Sequence, residues 1–518
     1  MRTQYIQSLH RFAINAPFFV IQQSDDENSL NLSAREIDGN TVHRQGKCGV
    51  AVVRVSGSGA LEAFQRMTKV TNPQPRRAHL SRICDPDTGE VIDKGLCVWF
   101  PGPHSFTGED SVEFQVHGGP AILAALMSSL SKLRFEPARP GEFTRRAFDN
   151  GKFDLTEIEG LADLIDAETE QQRRQALLQA DGSLSKLYKS WHKTISRSLA
   201  SVEAYIDFSE DDNIESDVLK NCNETLEKLA RRIEDHLADG RKGEILRNGV
   251  RTVIIGEPNV GKSSLLNILV QRNAAIVTPI AGTTRDIVEL SANISGYPVI
   301  LADTAGLAKS TRDVVEAEGI RRAKDYAKYA DFIVVMIDAS VCVGSKKTLE
   351  DYIREYIEGL QLGDSLMSDG KLSDNCLVVL NKTDLIDESS KRLLENRGIV
   401  GLSCAKKDGL KDLLNAMTER FREICGNPSR EHPTISQERH RTHLTKCHEY
   451  LSDYLLVSSQ DRYDMVIAAQ QVRNAMREIG KITGHVSTEE ILDIIFKSFC
   501  IVCDKNGTEE QKKSVIES

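Results

Sequence analysis

The sequence predicts a multidomain chain of mixed α/β and α+β class: an amino-terminal α+β domain, a helical domain, and a phosphate-loop α/β domain inserted within the helical one. Three observations carry this. Short β-branched runs such as Gly49-Val50-Ala51-Val52-Val53-Arg54-Val55 mark strands early in the chain. Apolar residues then recur at three- and four-residue steps, first at Leu155, Ile158, Leu161 and Ile165, then at Leu187, Trp191, Ile195, Leu199 and Val202. At Val250 the pattern changes to strand, glycine loop and helix, and after Pro433 it turns helical again. A chain of 518 residues is also too long for a single core.

The elements follow in order. Residues 1–45 read as a mitochondrial transit peptide and leader: Arg2 and Arg11 occur with no acid before Asp25. The bland alternative is a tail of chance composition. Residues 46–150 form the first domain, with strands expected at Gly49 to Val55, Gly95 to Phe100 and Ser111 to Val116, and a helix at Ala121 to Leu133. Residues 151–248 are the first helical part; the acidic stretch Ser209 to Asp217 reads as a solvated turn before the helix from Leu226 to Leu237. Residues 249–425 form the inserted domain, within which the mixed, polar stretch 344–375 resembles an insertion. Residues 426–501 resume the helices, most clearly at Met465 to Ile479 and Glu489 to Phe499, and 502–518 are a polar tail.

Composition narrows the function. No run of about 18 apolar residues occurs, which argues against a membrane-spanning helix. The formal net charge is −10, so any contact with RNA has to be local or delegated to a partner. The 11 cysteines are scattered, as in a reduced intracellular protein. Cys500 and Cys503 make one CxxC pair without a second pair at zinc-site spacing.

The strand Val253-Ile254-Ile255 runs into Gly256-Glu257-Pro258-Asn259-Val260-Gly261-Lys262-Ser263, which fits GxxxxGK[ST]. Such a loop curls its N–H groups around an anion. Lys262 reaches toward the β- and γ-phosphates, Ser263 ligates Mg²⁺, and the helix from Ser264 aims its positive end at the phosphates. Gly282-Thr283-Thr284-Arg285-Asp286 supplies a switch threonine for Mg²⁺. Asp303-Thr304-Ala305-Gly306 follows an apolar strand: Asp303 would hold Mg²⁺ through water, and the Gly306 N–H would meet the γ-phosphate. Asn381-Lys382-Thr383-Asp384 supplies a carboxylate that accepts the two hydrogens guanine presents at N1 and N2. Adenine lacks that pair and would leave the carboxylate unpaired. Ser403-Cys404-Ala405-Lys406 completes the base pocket. These motifs, in this order and after strands, predict a GTP site. Leu307 stands where many GTPases place a water-orienting glutamine, and Asp313, Glu316 and Glu318 are the nearby acids that could take the task.

Outside that domain lie Pro103-His104-Ser105-Phe106-Thr107-Gly108-Glu109-Asp110, Val116-His117-Gly118-Gly119-Pro120, Arg139-Pro140-Gly141-Glu142-Phe143-Thr144 and Ala162-Asp163-Leu164-Ile165-Asp166-Ala167. With these the chain resembles the MnmE/TrmE family of tRNA-modification GTPases, in its mitochondrial form, from about residue 46 to 501. The resemblance implies that the first domain is folate-binding and dimerising, with a tetrahydrofolate one-carbon donor held at Arg54, Glu113 and Lys152. Without it these three read as ordinary surface charges. It implies K⁺-activated hydrolysis, with Asn259, Thr278, Ile280 and Thr283 around the cation and Glu316 orienting water. It implies potassium-dependent pairing of GTPase domains, a homodimer, and an FAD-binding partner protein with which the family modifies C5 of the wobble uridine of tRNA. It also gives Cys500 a part in that chemistry. The chain departs from the family at both ends: Cys500-Ile501-Val502-Cys503 replaces a Cys-Ile-Gly-Lys ending, and a first strand is barely visible in Asn40 to Gln45. Other readings of the same residues are a regulatory GTPase of ribosome assembly and a GTP-binding scaffold without chemistry.

Overall fold

In the computed structural model of the chain, residues 18–23, 48–208, 217–273, 289–302, 326–345, 347–360, 366–368, 371–388, 399–460 and 464–485 are described. Contacts divide the chain into two units, Met1–Ile165 with Val486–Ser518, and Asp166–His485.

In the first unit, β-branched and aromatic runs form β1 (Phe18–Gln23), β2 (Cys48–Ser56), β3 (His79–Cys84), β4 (Val91–Phe100), β5 (Ser111–Gly118) and β6 (Phe135–Pro137). The sheet order is β3-β4-β5-β2-β1-β6. Alternation sends Ala51, Val53 and Val55 of β2 and Phe114 and Val116 of β5 into one core. Helices α1 (Ala60–Thr68) and α2 (Pro120–Lys132) cover it with Phe64, Met67, Leu126 and Leu130. Helices α3 (Glu142–Asp149) and α4 (Leu155–Asp166) follow.

One strand lies where the sequence reading expects none. β1 falls inside the stretch read as leader, whereas Asn40 to Gln45 lies outside the described residues. It pairs parallel with β2, from Phe18 opposite Val52 to Gln22 opposite Ser56, and antiparallel with β6, Ile21 opposite Pro137. The physical reason is the open ladder of β2: its edge away from β5 needs a partner, and Phe-Phe-Val-Ile-Gln-Gln is a strand-forming run.

In the second unit, α5 (Glu170–Ala180) opens with a capping box between Thr169 and Gln172. A four-helix bundle follows from α6 (Ser183–Phe208), α7 (Asp217–Leu237), α13 (Glu438–Ser458) and α14 (Met465–Thr483). Tyr188, Trp191, Ile195, Leu226, Ile233, Leu444, Leu451, Val472 and Ile479 fill its centre. The chain leaves the bundle through α8 (Lys242–Asn248) into a six-stranded sheet of order β14-β13-β10-β7-β9-β8. These strands are β7 (Val250–Ile255), β8 (Glu289–Ile294), β9 (Tyr297–Ala302), β10 (Phe332–Asp338), β13 (Cys376–Asn381) and β14 (Val400–Gly401). All neighbours are parallel except β8 and β9, which form a hairpin. Its helices are α9 (Lys262–Asn273), α10 (Ala339–Gly344), α11 (Leu349–Gly359) and α12 (Leu410–Cys425); a two-residue hairpin, β11 (Met367–Ser368) and β12 (Lys371–Leu372), lies between α11 and β13.

The stretch 344–375 is therefore no mere insertion. α11 buries Ile353, Tyr356 and Ile357 against Val335, Ile337 and Val378 of the sheet. Its outward face is polar, which hid an integral layer of the domain. No described helix is long and apolar enough to cross a membrane.

Because β1 is paired on both sides, a proline in it removes a ladder hydrogen bond whichever way its N–H points. Ile21→Pro is expected to lower the melting temperature of the purified chain by several degrees. A variant that melts with the parent contradicts the strand.

Candidate functional site

The central strand β7 delivers the chain into the glycine loop. Gly256 and Gly261 have φ of 155° and 106°, which favour glycine. Space demands it too: a Cβ on Gly256 would lie 2.3 Å from the Met336 carbonyl oxygen, and one on Gly261 2.2 Å from Asn381 Nδ2. Asn259 sits exposed at the loop tip with φ 61°, a left-handed conformation asparagine tolerates. Lys262 Nζ curls over the loop and donates to the Gly256 and Glu257 carbonyls at 2.8 and 2.7 Å. Burial lowers its pKa from the ordinary lysine value, with the Glu257 carboxylate opposing in part. Ser263 and Ser264 are exposed on the first turn of α9.

The loops after β13 and β14 meet this loop through the Asn381 amide. Asn381, at the end of β13, donates from Nδ2 to the Val260 carbonyl at 2.7 Å and accepts the Cys404 N–H at 3.0 Å. Asp384 accepts the Ser403 hydroxyl at 2.7 Å, which aims its carboxylate. Lys382 pairs with Asp338 at 2.6 Å. Burial alone would raise the Asp338 pKa, but the hydrogen bonds from Lys382 and Ser340 outweigh it and the net shift is downward. Ala405 is exposed beside them. The structure thus brings Asn259, Val260, Gly261, Lys262, Ser263, Ser264, Asn381, Lys382, Asp384, Ser403 and Ala405 to one end of the sheet. Thr278, Ile280, Thr283, Thr284, Asp303, Thr304, Ala305, Gly306, Glu316 and Cys500 lie outside the described residues.

In the first unit Arg54 and Glu113 are register partners on β2 and β5, so their side chains share one face of the sheet. Arg54 Nε and Nη2 both donate to Glu113 Oε1, at 3.0 and 2.7 Å. The guanidinium lies 5.3 Å from the Phe106 ring centre and 6.0 Å from that of Phe143. Phe106 belongs to the loop 101–110, which also receives Lys152: its Nζ donates to the Pro103 carbonyl at 2.8 Å. That loop is held by its own polar residues. Ser56 donates to Glu109 at 2.8 Å, Arg146 grips both Glu109 oxygens, and Asn150 donates to the Thr107 carbonyl. The three charges are therefore partly buried and gathered round one loop, not scattered on the surface.

Sequence reasoning missed Tyr356. Its ring is buried in α11, its hydroxyl donates to the Met336 carbonyl at 3.0 Å, and the Glu257 N–H donates to that hydroxyl at 2.7 Å. One side chain thus ties the glycine loop to β10. Burial raises its pKa, so it stays a phenol at any physiological pH. Tyr356→Phe keeps the ring and strands the Glu257 N–H. We expect GTP and GDP to bind about tenfold more weakly, a loss of about 1.4 kcal/mol, with turnover at saturating GTP largely kept. Unchanged affinity by fluorescent-nucleotide titration contradicts the role.

The chain matches two family descriptions, the GTP-binding protein TrmE N-terminus over residues 41–152 and the MnmE helical domain over residues 155–500. It is 46% identical over 466 residues to a mitochondrial 5-taurinomethyluridine-tRNA synthase subunit of Danio rerio, covering 88% of this chain and 91% of that one. It is 43% identical over 460 residues to the protein of the same description from Homo sapiens, with the same coverage. It is 44% identical over 458 residues to the tRNA modification GTPase MnmE of Rickettsia bellii, covering 88% and 97%. Residues 103–110, 116–120 and 139–144 fall within the first matched region and the glycine loop within the second, so the likeness takes in both candidate sites. The chain belongs to the MnmE/TrmE family of tRNA-modification GTPases.

Proposed function

We propose that this chain is the GTP-hydrolysing subunit of a mitochondrial enzyme that modifies C5 of the wobble uridine of tRNA, together with an FAD-binding partner. The observation that carries the reading is the 46% identity, over nine-tenths of its length, to a protein described as a synthase subunit for 5-taurinomethyluridine in tRNA. The matrix location rests on the acid-free residues before β1 and on the mitochondrial relatives, since a bacterial relative is equally similar.

The residues fit the groups the reading needs. The glycine loop and the first turn of α9 form an anion cradle. Lys262 exchanges its two carbonyl partners for phosphate oxygens, and Asp384 and Ser403 read guanine. Ser263 and Thr284 would hold Mg²⁺, and Asn259, Thr278, Ile280 and Thr283 would hold K⁺; both cations, when bound, neutralise charge on the phosphates. With leucine at position 307, Glu316 takes the part of orienting the attacking water. In the first unit, Arg54 Nε and Nη2 donate to Glu113 Oε1, which suits Oε2 to accept from a pterin edge. Lys152 suits a folate carboxylate. Tetrahydrofolate supplies the one-carbon unit, and the partner's flavin supplies redox chemistry. Cys500 belongs to the same chemistry. On the sheet face that carries Arg54, Val50, Leu80 and Leu96 are exposed, which suits a homodimer through this domain.

Glu316→Ala should remove most GTP turnover and leave GTP binding within a fewfold of the parent; undiminished turnover refutes the assignment. Turnover of the parent should be faster in KCl than in NaCl, and equal rates count against the cation role of Asn259. Cells lacking the gene should lose the modified wobble uridine from mitochondrial tRNA by nucleoside mass spectrometry and regain it with this chain. Normal modification in those cells overturns the proposal.

A further inference from the structure

The net charge of −10 is not spread evenly. Helix α6 carries no Asp or Glu from Ser183 to Val202, yet it holds Lys186, Lys189, Lys193 and Arg197. All four are exposed. Their spacing of three, four and four residues keeps them within about 80° of one another on the helix and steps them along its axis by about 4.5 to 6 Å. The opposite face, with Leu184, Tyr188, Trp191, Ile195, Leu199 and Val202, is committed to the bundle core.

Other charged helices of this unit mix acids with their cations. Glu170 pairs with Arg173 and Arg174, Glu227 with Arg231, and Glu423 with Arg420. Lys186, Lys193 and Arg197 have no ion-pair partner among the described residues. An ordinary solvated helix face mixes signs, because like charges three or four residues apart repel. A one-signed row costs stability unless something outside the chain uses it.

We propose that this face of α6 is an RNA-contacting surface that grips the phosphate backbone of the tRNA. A regular row of cations suits a regular row of phosphates. An anionic membrane fits poorly, since an interfacial helix needs a free apolar face beside its charges and that of α6 is buried. The stripe carries no aromatic side chain for base stacking, so it positions the RNA without reading its sequence. The inference rests on the reading that tRNA is the substrate.

The test is a fluorescence-anisotropy titration of a mitochondrial tRNA with the full chain over a KCl series. It compares the parent with the triple variant Lys186→Gln, Lys193→Gln, Arg197→Gln. A control triple, Lys220→Gln, Lys228→Gln, Arg232→Gln, removes the same charge from α7, where cations and acids alternate. The stripe variant should bind at least tenfold more weakly at about 0.1 M salt, and its log K against log salt slope should shrink by about 2. The control should keep the parent slope, and GTP turnover should be equal in all three. The inference is overturned if the parent does not bind tRNA, if the stripe variant binds like the parent, or if both triples lose equally. It is also overturned if the stripe variant keeps RNA but loses a partner protein. Rescue of wobble modification in cells lacking the gene separates the two readings: rescue by the parent without stripe-dependent binding removes only the stripe, and stripe-dependent binding without rescue removes only the wobble-uridine function.

Discussion

The Asn381 amide is the contact on which the nucleotide site depends. It is buried and joins the glycine loop at Val260, across 121 positions of sequence, to the loop at Cys404, while its own strand carries Lys382 and Asp384. Gly261 has no Cβ because this amide occupies its place. A buried amide that lost either partner would leave polar groups unsatisfied in the core of the domain. The glycine loop and the loop at Cys404 are therefore held to each other through this side chain, and Tyr356 fixes the glycine loop to β10 from its other side.

That assembly is joined to the helical part of the unit at more than the two chain crossings. The β8–β9 hairpin lies in sequence between the two switch segments, and its turn rests on α5: the Gln171 N–H donates to the Gly296 carbonyl at 3.1 Å. Gln172 and Gln175 donate to the carbonyls of Arg247 and Gly243 next to it. At the crossings, Arg441 of α13 pairs with both Asp239 and Glu244, and Glu244 also holds Arg241. A displacement of the hairpin thus meets a hydrogen-bonded contact with α5, the helix that leads into the bundle.

The nucleotide motifs were legible in the sequence because phosphate and guanine chemistry restricts residue type at each position. Glycine is needed where backbone approaches backbone, and the proposed guanine contact asks for a carboxylate at Asp384. Tyr356 was not legible: its role comes from a fold that brings it to Glu257 from 99 positions away. The polar outer face of α11 hid that helix for a related reason. β1 was hidden by a composition that also suits a leader, and only an open ladder on β2 gives it a place. Arg54 and Glu113 read as surface charges in isolation. Register makes them neighbours, leaving their side chains 12% and 10% exposed. Nothing in local sequence encodes that register, which the pairing of whole strands sets.

We propose that Asp384, aimed by Ser403 and set beside the glycine loop by Asn381, selects the base. The direct measurement is turnover and equilibrium binding of GTP and XTP by the parent and by Asp384→Asn. An amide at this position cannot accept both guanine hydrogens, but it can donate to the C2 oxygen of xanthine. The account predicts that the variant loses GTP affinity by about two orders of magnitude and gains XTP binding and turnover. A variant that still binds GTP as the parent does and ignores XTP would contradict it.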